Sequence, residues 1–158
     1  MTKKARTALS DALMLLNRRE YSQNELVQKL VQKGHPQEKS LEVVVDLASK
    51  DIQSDKRALR SLVAGGFYSK HGPQRILLNA INKGFSSEDT KLALEDWQEQ
   101  HKQDPDQSCW EGQAQHLVER HFGKPPYDFA TQTKIMRRLL GKGYAYDLVQ
   151  KLAKSSGE

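Results

Sequence analysis

Four side chains in the second half of the chain are of types that hold metals or attack substrates: His101, Cys109, His116 and His121. A zinc site on a helix needs histidines four apart, or cysteines in close pairs, because those spacings turn two ligands toward one point. His116 and His121 stand five apart and Cys109 has no second cysteine, so no metal site is expected. As a nucleophile Cys109 would need an orienting histidine and an oxyanion pocket, which nothing around it indicates; a small buried thiol is the expected state. No Walker-type loop and no Gly-x-Gly-x-x-Gly fingerprint occurs, and the pairs Glu88-Asp89 and Glu95-Asp96 read as solvated helix faces rather than a magnesium site. Catalysis, a cofactor and a small-molecule substrate are therefore not expected.

What remains is charge. The 158 residues carry 25 basic against 20 acidic side chains, a formal +5 with a pI near 9.3, which attracts polyanions mildly without proving that one is bound. Residues 1–35 hold seven basic and three acidic groups, and 88–106 hold seven acidic and two basic, so both signs are offered to partners. The run Tyr68, Lys70, His71 and Arg75 places an aromatic among cations where a helix should begin, and amides and side chains there could together hold a phosphate. An exposed loop between helices fits the same residues. Trp97 and Trp110 are flanked by apolar residues at helical spacing, so packing explains them better than base stacking.

Helices must position these groups. Leu9, Leu13 and Leu16, with Ala12 and Leu15, lay an apolar stripe on a first helix over about residues 4–19. Ser22 and Glu25 have capping-box spacing, Tyr21 and Leu26 can close a hydrophobic staple, and Gly34 supplies a left-handed stop. His35-Pro36 opens a third helix with Leu41, Val44, Val45 and Ala48 as its buried stripe. The alternation of Leu41, Val43, Val45 and Leu47 would also suit a strand, but Val44 breaks it and no second such stretch exists, so no sheet is expected. A fourth helix from Ser54-Asp55 should fray or bend at Gly65-Gly66, each glycine costing about 1 kcal/mol relative to alanine. Pro73 opens a fifth that Gly84 stops, and Ser86 with Asp89 caps a sixth. Residues 101–108 read as a polar connector and candidate hinge. Trp110, Leu117 and Val118 mark a seventh helix, Asp128 caps an eighth through Leu140, and Leu148, Val149 and Leu152 mark a ninth.

With an apolar fraction of 37% and a charged fraction of 28%, an elongated body with a thin core is expected. The lone cysteine and the lack of an export-type start point to the cytoplasm. The longest apolar run, Ala12 to Leu16, falls far short of the roughly 20 residues that span a bilayer.

Counting back from Gly34, Gly84 and Gly143 exposes one register in three copies. Eight, seven, four and three positions before each glycine stand Leu26, Val27, Leu30 and Val31; Ile76, Leu77, Ala80 and Ile81; Ile135, Met136, Leu139 and Leu140. All are apolar. Nine, five and one positions before stand Glu25, Lys29 and Lys33; Arg75, Asn79 and Lys83; Lys134, Arg138 and Lys142, most of them basic. Each middle helix thus has an apolar face and a largely cationic edge. A Lys-Gly ending also suits any helix, because a cation near the C-terminus and a glycine beyond it are both favoured there. The expected architecture is all-α, with repeats over 1–52, 53–103 and 104–158, each of three helices.

The segment from Ala12 to Leu30 with its Arg-Arg-Glu-Tyr-Ser-Gln-Asn-Glu-Leu core, then Gly72-Pro73-Gln74-Arg75-Ile76 and Asn82-Lys83-Gly84-Phe85-Ser86, resembles the RecX family of regulatory proteins. His121 to Pro126, Lys134 to Leu140 and Gly141-Lys142-Gly143-Tyr144 resemble the family's C-terminal portion, so the likeness covers nearly the whole chain in order. It implies a curved, elongated stack of three tandem three-helix repeats. It also implies a non-enzymatic modulator, mainly an inhibitor, of the RecA nucleoprotein filament, lying in its groove and restraining ATP hydrolysis, strand exchange and filament growth in recombination, DNA repair and the SOS response. Contact with single- or double-stranded DNA held there is implied as well. The fourth helix departs from the pattern, since Asp55-Lys56-Arg57-Ala58 keeps the polar start and loses the aromatic after it. The candidate contact residues are Lys33, Tyr68, Lys70, Arg75, Lys83, Lys134, Arg137, Arg138 and Lys142. The alternative is a sequence-tolerant DNA-binding helical protein that acts without a recombinase.

Overall fold

The computed structural model describes residues 5–102 and 109–154, and among these it has nine helices and no strand. They are α1 Ala8–Arg18, α2 Gln23–Gln32, α3 Gln37–Ser49, α4 Asp55–Tyr68, α5 Pro73–Asn82, α6 Ser87–Gln100, α7 Cys109–Phe122, α8 Phe129–Gly141 and α9 Tyr146–Ala153. The connector expected at 101–108 lies, from residue 103 on, outside the described residues.

The three middle helices α2, α5 and α8 end alike. Gly34, Gly84 and Gly143 have φ of +99°, +93° and +92°. After each, one amide reaches back five residues, from His35 to Leu30, Phe85 to Ala80 and Tyr144 to Leu139, closing the same left-handed cap. The register is also one of burial: Leu26, Leu30, Ile76, Ala80, Ile135 and Leu139 are each at most 1% exposed. Of the other apolar positions, Val27, Leu77 and Met136 are half-buried and Val31, Ile81 and Leu140 face water. Burying each Leu or Ile contributes about 1.5–3 kcal/mol. From Leu26 to Asp46 and again from Ile76 to Asp96, the sequence of buried, half-buried and exposed positions is identical at an offset of 50 residues.

Two apolar faces differ from expectation. On α1, capped by Thr7, the inward side carries Ala8, Asp11, Ala12 and Leu15, while Leu9 and Leu13 are exposed. The apolar arc of this helix is wide, and the choice of face falls to Asp11, whose carboxylate holds the His35 ring at 2.6 Å in the turn after α2. On α3 the inward residues are Ser40, Val44 and Leu47, and Leu41 and Val45 point out. Ser40 occupies a core position because its hydroxyl donates to the Pro36 carbonyl at 2.9 Å, which turns the buried stripe away from Leu41.

The end of α4 is a third correction, for the helix runs unbroken through Gly65 and Gly66 to Tyr68. A Cβ on Gly66 would lie 2.5 Å from Cγ1 of Ile76, whereas one on Gly65 would meet nothing within 4 Å. Gly66 therefore serves the close approach of α5 to α4.

The chain forms two compact units, one of residues up to 61 with 80–86, the other of 62–79 with those from 87 on. The first packs Ala12, Leu15, Tyr21, Leu26, Leu30 and Val44 together. Its α4 start is tied by polar bonds: Arg57 reaches Glu20 and Asp51 at 3.1 and 3.0 Å, and Gln53 donates to the Tyr21 carbonyl at 3.0 Å and to Asp55 at 2.9 Å. Asp55 also accepts from the Gln23 amide at 2.8 Å. The Ser22 hydroxyl caps α2 as expected, but Glu25 pairs with Arg19, whose guanidinium lies 3.7 Å over the Tyr21 ring. The second unit is built on Phe67, Ile76, Trp110, Leu117, Ile135 and Leu139. Trp97 and Trp110 both belong to that packing, Trp110 only 5% exposed with its indole N–H on the His71 carbonyl at 3.1 Å.

Candidate functional site

Within the second unit, the start of α5 is joined to the end of α8 by backbone alone. The Gly72 amide donates to the Lys142 carbonyl at 2.7 Å and the Gln74 amide to the Gly143 carbonyl at 3.0 Å. The approach requires glycine on both sides: a Cβ on Gly72 would lie 2.2 Å from the Gly143 carbonyl carbon, and one on Gly143 2.5 Å from the Cβ of Arg75. Two donors at the start of α5 are thereby taken and Pro73 has none, so the phosphate cradle of amides read from the sequence is not formed there. Any anion at this place meets side chains.

The turn before α5 is fixed as well. Lys70 sits at φ +62°, its amide donating to the Phe67 carbonyl at 2.9 Å. The Tyr144 hydroxyl donates its one hydrogen to the Gln113 side-chain oxygen at 2.6 Å and lies 3.3 Å from the Lys70 carbonyl oxygen. Burial raises the Tyr144 phenol well above its ordinary pKa, so it remains a donor.

Around this junction the structure gathers cations from four places: Lys70 in the α4–α5 turn, Arg75 in the first turn of α5, Arg120 in the last turn of α7, and Arg138 with Lys142 at the end of α8. His71 and His121 lie among them. Loss of water around the His121 ring, then the charges of Arg138, Arg120, Lys142 and Lys70, push its pKa down. His71 is lowered by burial and by Arg75 and Lys142. Arg138 can only donate, so its 3.2 Å contact with Nε2 of His121 makes that nitrogen an acceptor and the ring neutral. No carboxylate among the described residues lies within 4.0 Å of Lys70, Arg75, Arg120, Arg138 or Lys142. The helix ends of α7 and α8 favour their cations, but Arg75 in the first turn of α5 stands against the dipole.

Of the nine candidates, then, Lys70, Arg75, Arg138 and Lys142 come together. Tyr68 is 64% exposed and meets the Phe67 and Trp97 rings edge-on, at 5.6 and 5.9 Å. Lys134 acts on Asp128, the α8 cap, and Arg137 is exposed beside Arg138. Lys33 and Lys83 belong to the first unit, Lys33 acting on Asp11, and Lys83 accepting the Ser22 hydroxyl on its carbonyl at 3.3 Å. The sequence register omitted Arg120 and weighed His121 only as a metal ligand; their place in the last turn before Gly123, where cations collect, was the available signal. Among the described residues no group of three or more His, Cys, Asp or Glu converges as a metal site. Cys109 is buried, and burial raises its thiol pKa. No described helix is long and apolar enough to cross a membrane.

Three-helix repeats, with cations gathered where no described carboxylate pairs with them, define the class: an all-helical repeat protein. Residues 8–47 match the family model of the first three-helix domain of RecX. Regulatory protein RecX of Pseudomonas fluorescens strain Pf-5 is 32% identical over 151 residues, covering 92% of this chain and 89% of that one. Its counterpart from Stenotrophomonas maltophilia strain R551-3 is 29% identical, over 92% and 84%. The crystal structure of RecX from Lactobacillus salivarius superimposes with a TM-score of 0.73 over 92% of this chain and 91% of that one; at 23% identity it shows a shared fold. The chain belongs to the RecX family of regulatory proteins.

Proposed function

We propose that this protein regulates the RecA nucleoprotein filament without chemistry of its own, binding along it and restraining its ATPase, strand exchange and extension. Membership of a family of regulatory proteins supports the regulatory role, and with it a recombinase as the partner. The observation that carries the rest is the cationic cluster of the second unit, whose charges have no carboxylate of the described residues within ion-pair distance. Such a surface suits DNA phosphate or acidic protein. Arg137, Lys134, Lys33, Lys83 and Tyr68 are proposed as lesser contacts, and repeat boundaries near residues 52 and 103 as the organisation that distributes them.

Recombinase ATPase and strand exchange, followed on single-stranded DNA with and without this protein, test the reading. Inhibition is expected at near-stoichiometric amounts, and no effect there removes it. The same cluster suits a second reading, a DNA binder that acts without a recombinase. Tight binding to bare DNA, with a steep loss of affinity as salt rises and no preference for recombinase-coated DNA, would favour that one.

A further inference from the structure

The cationic cluster contains two imidazoles that its own charges hold neutral near neutral pH. His121 lies in the last turn of α7 and touches Arg138, while His71 lies in the turn before α5. The groups facing His121 are Arg138 and Lys142 from the end of α8, Arg120 from α7 and Lys70 from the α4–α5 turn. Those facing His71 are Arg75 from α5 and, again, Lys142. Each of these named charges is positive. Lys142 is shared by the two rings, and its carbonyl is the acceptor that joins α8 to Gly72, so the imidazoles report on one electrostatic neighbourhood held by backbone bonds.

We infer that the junction of the α4–α5 turn, α7 and α8 is a phosphate-binding site that takes up a proton with its ligand, through the imidazoles of His121 and His71. The inference rests on the polyanion reading above and adds its regulation by pH. An unliganded cluster keeps the imidazoles neutral, because a further positive charge there would face these positive charges and partial desolvation. In this state His121 accepts from Arg138 through Nε2. A phosphate oxygen among these side chains reverses the balance: Arg138 turns its N–H groups to the anion, as charge-assisted pairs favour, and the freed imidazole nitrogen binds a proton from solvent and becomes a donor to the same anion. Nothing is oxidised and no covalent bond to the ligand forms; the only species exchanged is the proton.

The sign follows from linkage. A depressed pKa without ligand and a higher one with ligand mean that the complex holds more protons between those two values, so affinity rises as pH falls through that window. The gain approaches tenfold per pH unit for each proton taken up, and it levels off below the unliganded value.

The experiment is isothermal calorimetry of the full-length chain with a short oligothymidylate, at about pH 8 and about pH 6 and constant salt, in buffers of different ionisation enthalpy. Native protein should bind roughly three- to tenfold tighter at the lower pH and take up about one proton. His121→Gln should lose part of the proton uptake and part of the affinity gained at the lower pH, and the double variant His71→Gln/His121→Gln should lose both entirely. NMR titration of the two ring C–H signals should show both pKa values rising when oligonucleotide is added. Equal affinity at both pH values without proton uptake overturns the inference and leaves the polyanion reading standing. Uptake that persists in the double variant overturns it as well, assigning the proton elsewhere. No binding at either pH removes the polyanion reading and this inference together.

Discussion

Neighbouring glycines in α4 have opposite fates. Gly65 has open space where a Cβ would go, so Gly65→Ala should raise stability by about 0.5–1 kcal/mol through helix propensity alone. Gly66→Ala must push a methyl group into Ile76, which is 1% exposed and has nowhere to move, and should cost about 1–3 kcal/mol. Thermal melts of the two variants, moving in opposite directions, are the expected result; equal shifts would contradict the packing role of Gly66. The sequence shows the glycine pair and its propensity cost, but not that one of them faces a side chain on the next helix. Asp11 is a second case of the kind. The hydrogen bond from His35, then Lys33 and Arg6 nearby, hold its carboxyl below the ordinary aspartate value. A depressed folded-state pKa contributes stability that is fully present above the unfolded value near 3.9 and is lost as pH falls through the folded one. Acid unfolding of native protein should therefore show a component below about pH 4 that Asp11→Asn lacks, and the variant should be less stable at neutral pH. Superimposable pH profiles would remove the linkage.

At the level of elements, what was legible depended on whether a rule is local. The ends of α2, α5 and α8 could be read because a left-handed cap requires glycine and the apolar register precedes it within two turns. The face of α1 could not, because Asp11 turns inward for His35 beyond the next helix, and on α3 a polar Ser40 takes a core place by satisfying its hydroxyl one turn back on Pro36, which polarity alone does not show. The cationic edge was half legible. Arg138 and Lys142 follow the register, but their meeting with Lys70, Arg75 and Arg120 depends on the contact of Gly72 with Gly143, which lies far along the sequence. That contact is testable. Gly72→Ala cannot keep a methyl group 2.2 Å from a carbonyl carbon, so the start of α5 must leave the end of α8 and the two carbonyls at 142 and 143 lose their amide donors. A loss of about 1–3 kcal/mol is expected. Tyr144→Phe is the milder probe of the same junction, losing the bond to Gln113 and the polar contact with the Lys70 carbonyl and costing about 1–2 kcal/mol. Urea denaturation should rank both below native protein. A Gly72→Ala variant of native stability would mean that the junction contributes nothing.

For the whole molecule, the question is whether polyanions respond to net charge, to the repeated register or to the cluster. Net charge predicts that any Lys→Glu or Arg→Glu change weakens binding by the same small amount, since each removes two units from a formal +5. The register treats Lys33 and Lys142 as equivalent, one position before Gly34 and Gly143. The structure does not: Lys33 stands beside the Asp11 carboxylate, which offsets part of its charge, whereas Lys142 faces two imidazoles and other cations with no carboxylate of the described residues within 4.0 Å. Lys142→Glu, and likewise Arg138→Glu, should therefore cost about 1–3 kcal/mol of affinity for single-stranded DNA or recombinase-coated DNA, roughly 5- to 150-fold. Each should also reduce the dependence of log K on log salt by about 1, the signature of one lost phosphate contact. Lys33→Glu should cost well under 1 kcal/mol and leave the salt slope almost unchanged. Fluorescence anisotropy over a salt series measures all three. Equal losses at Lys33 and Lys142 would return the binding surface to the register as a whole, because only a repeated edge, and not a cluster confined to the second unit, makes those two lysines interchangeable.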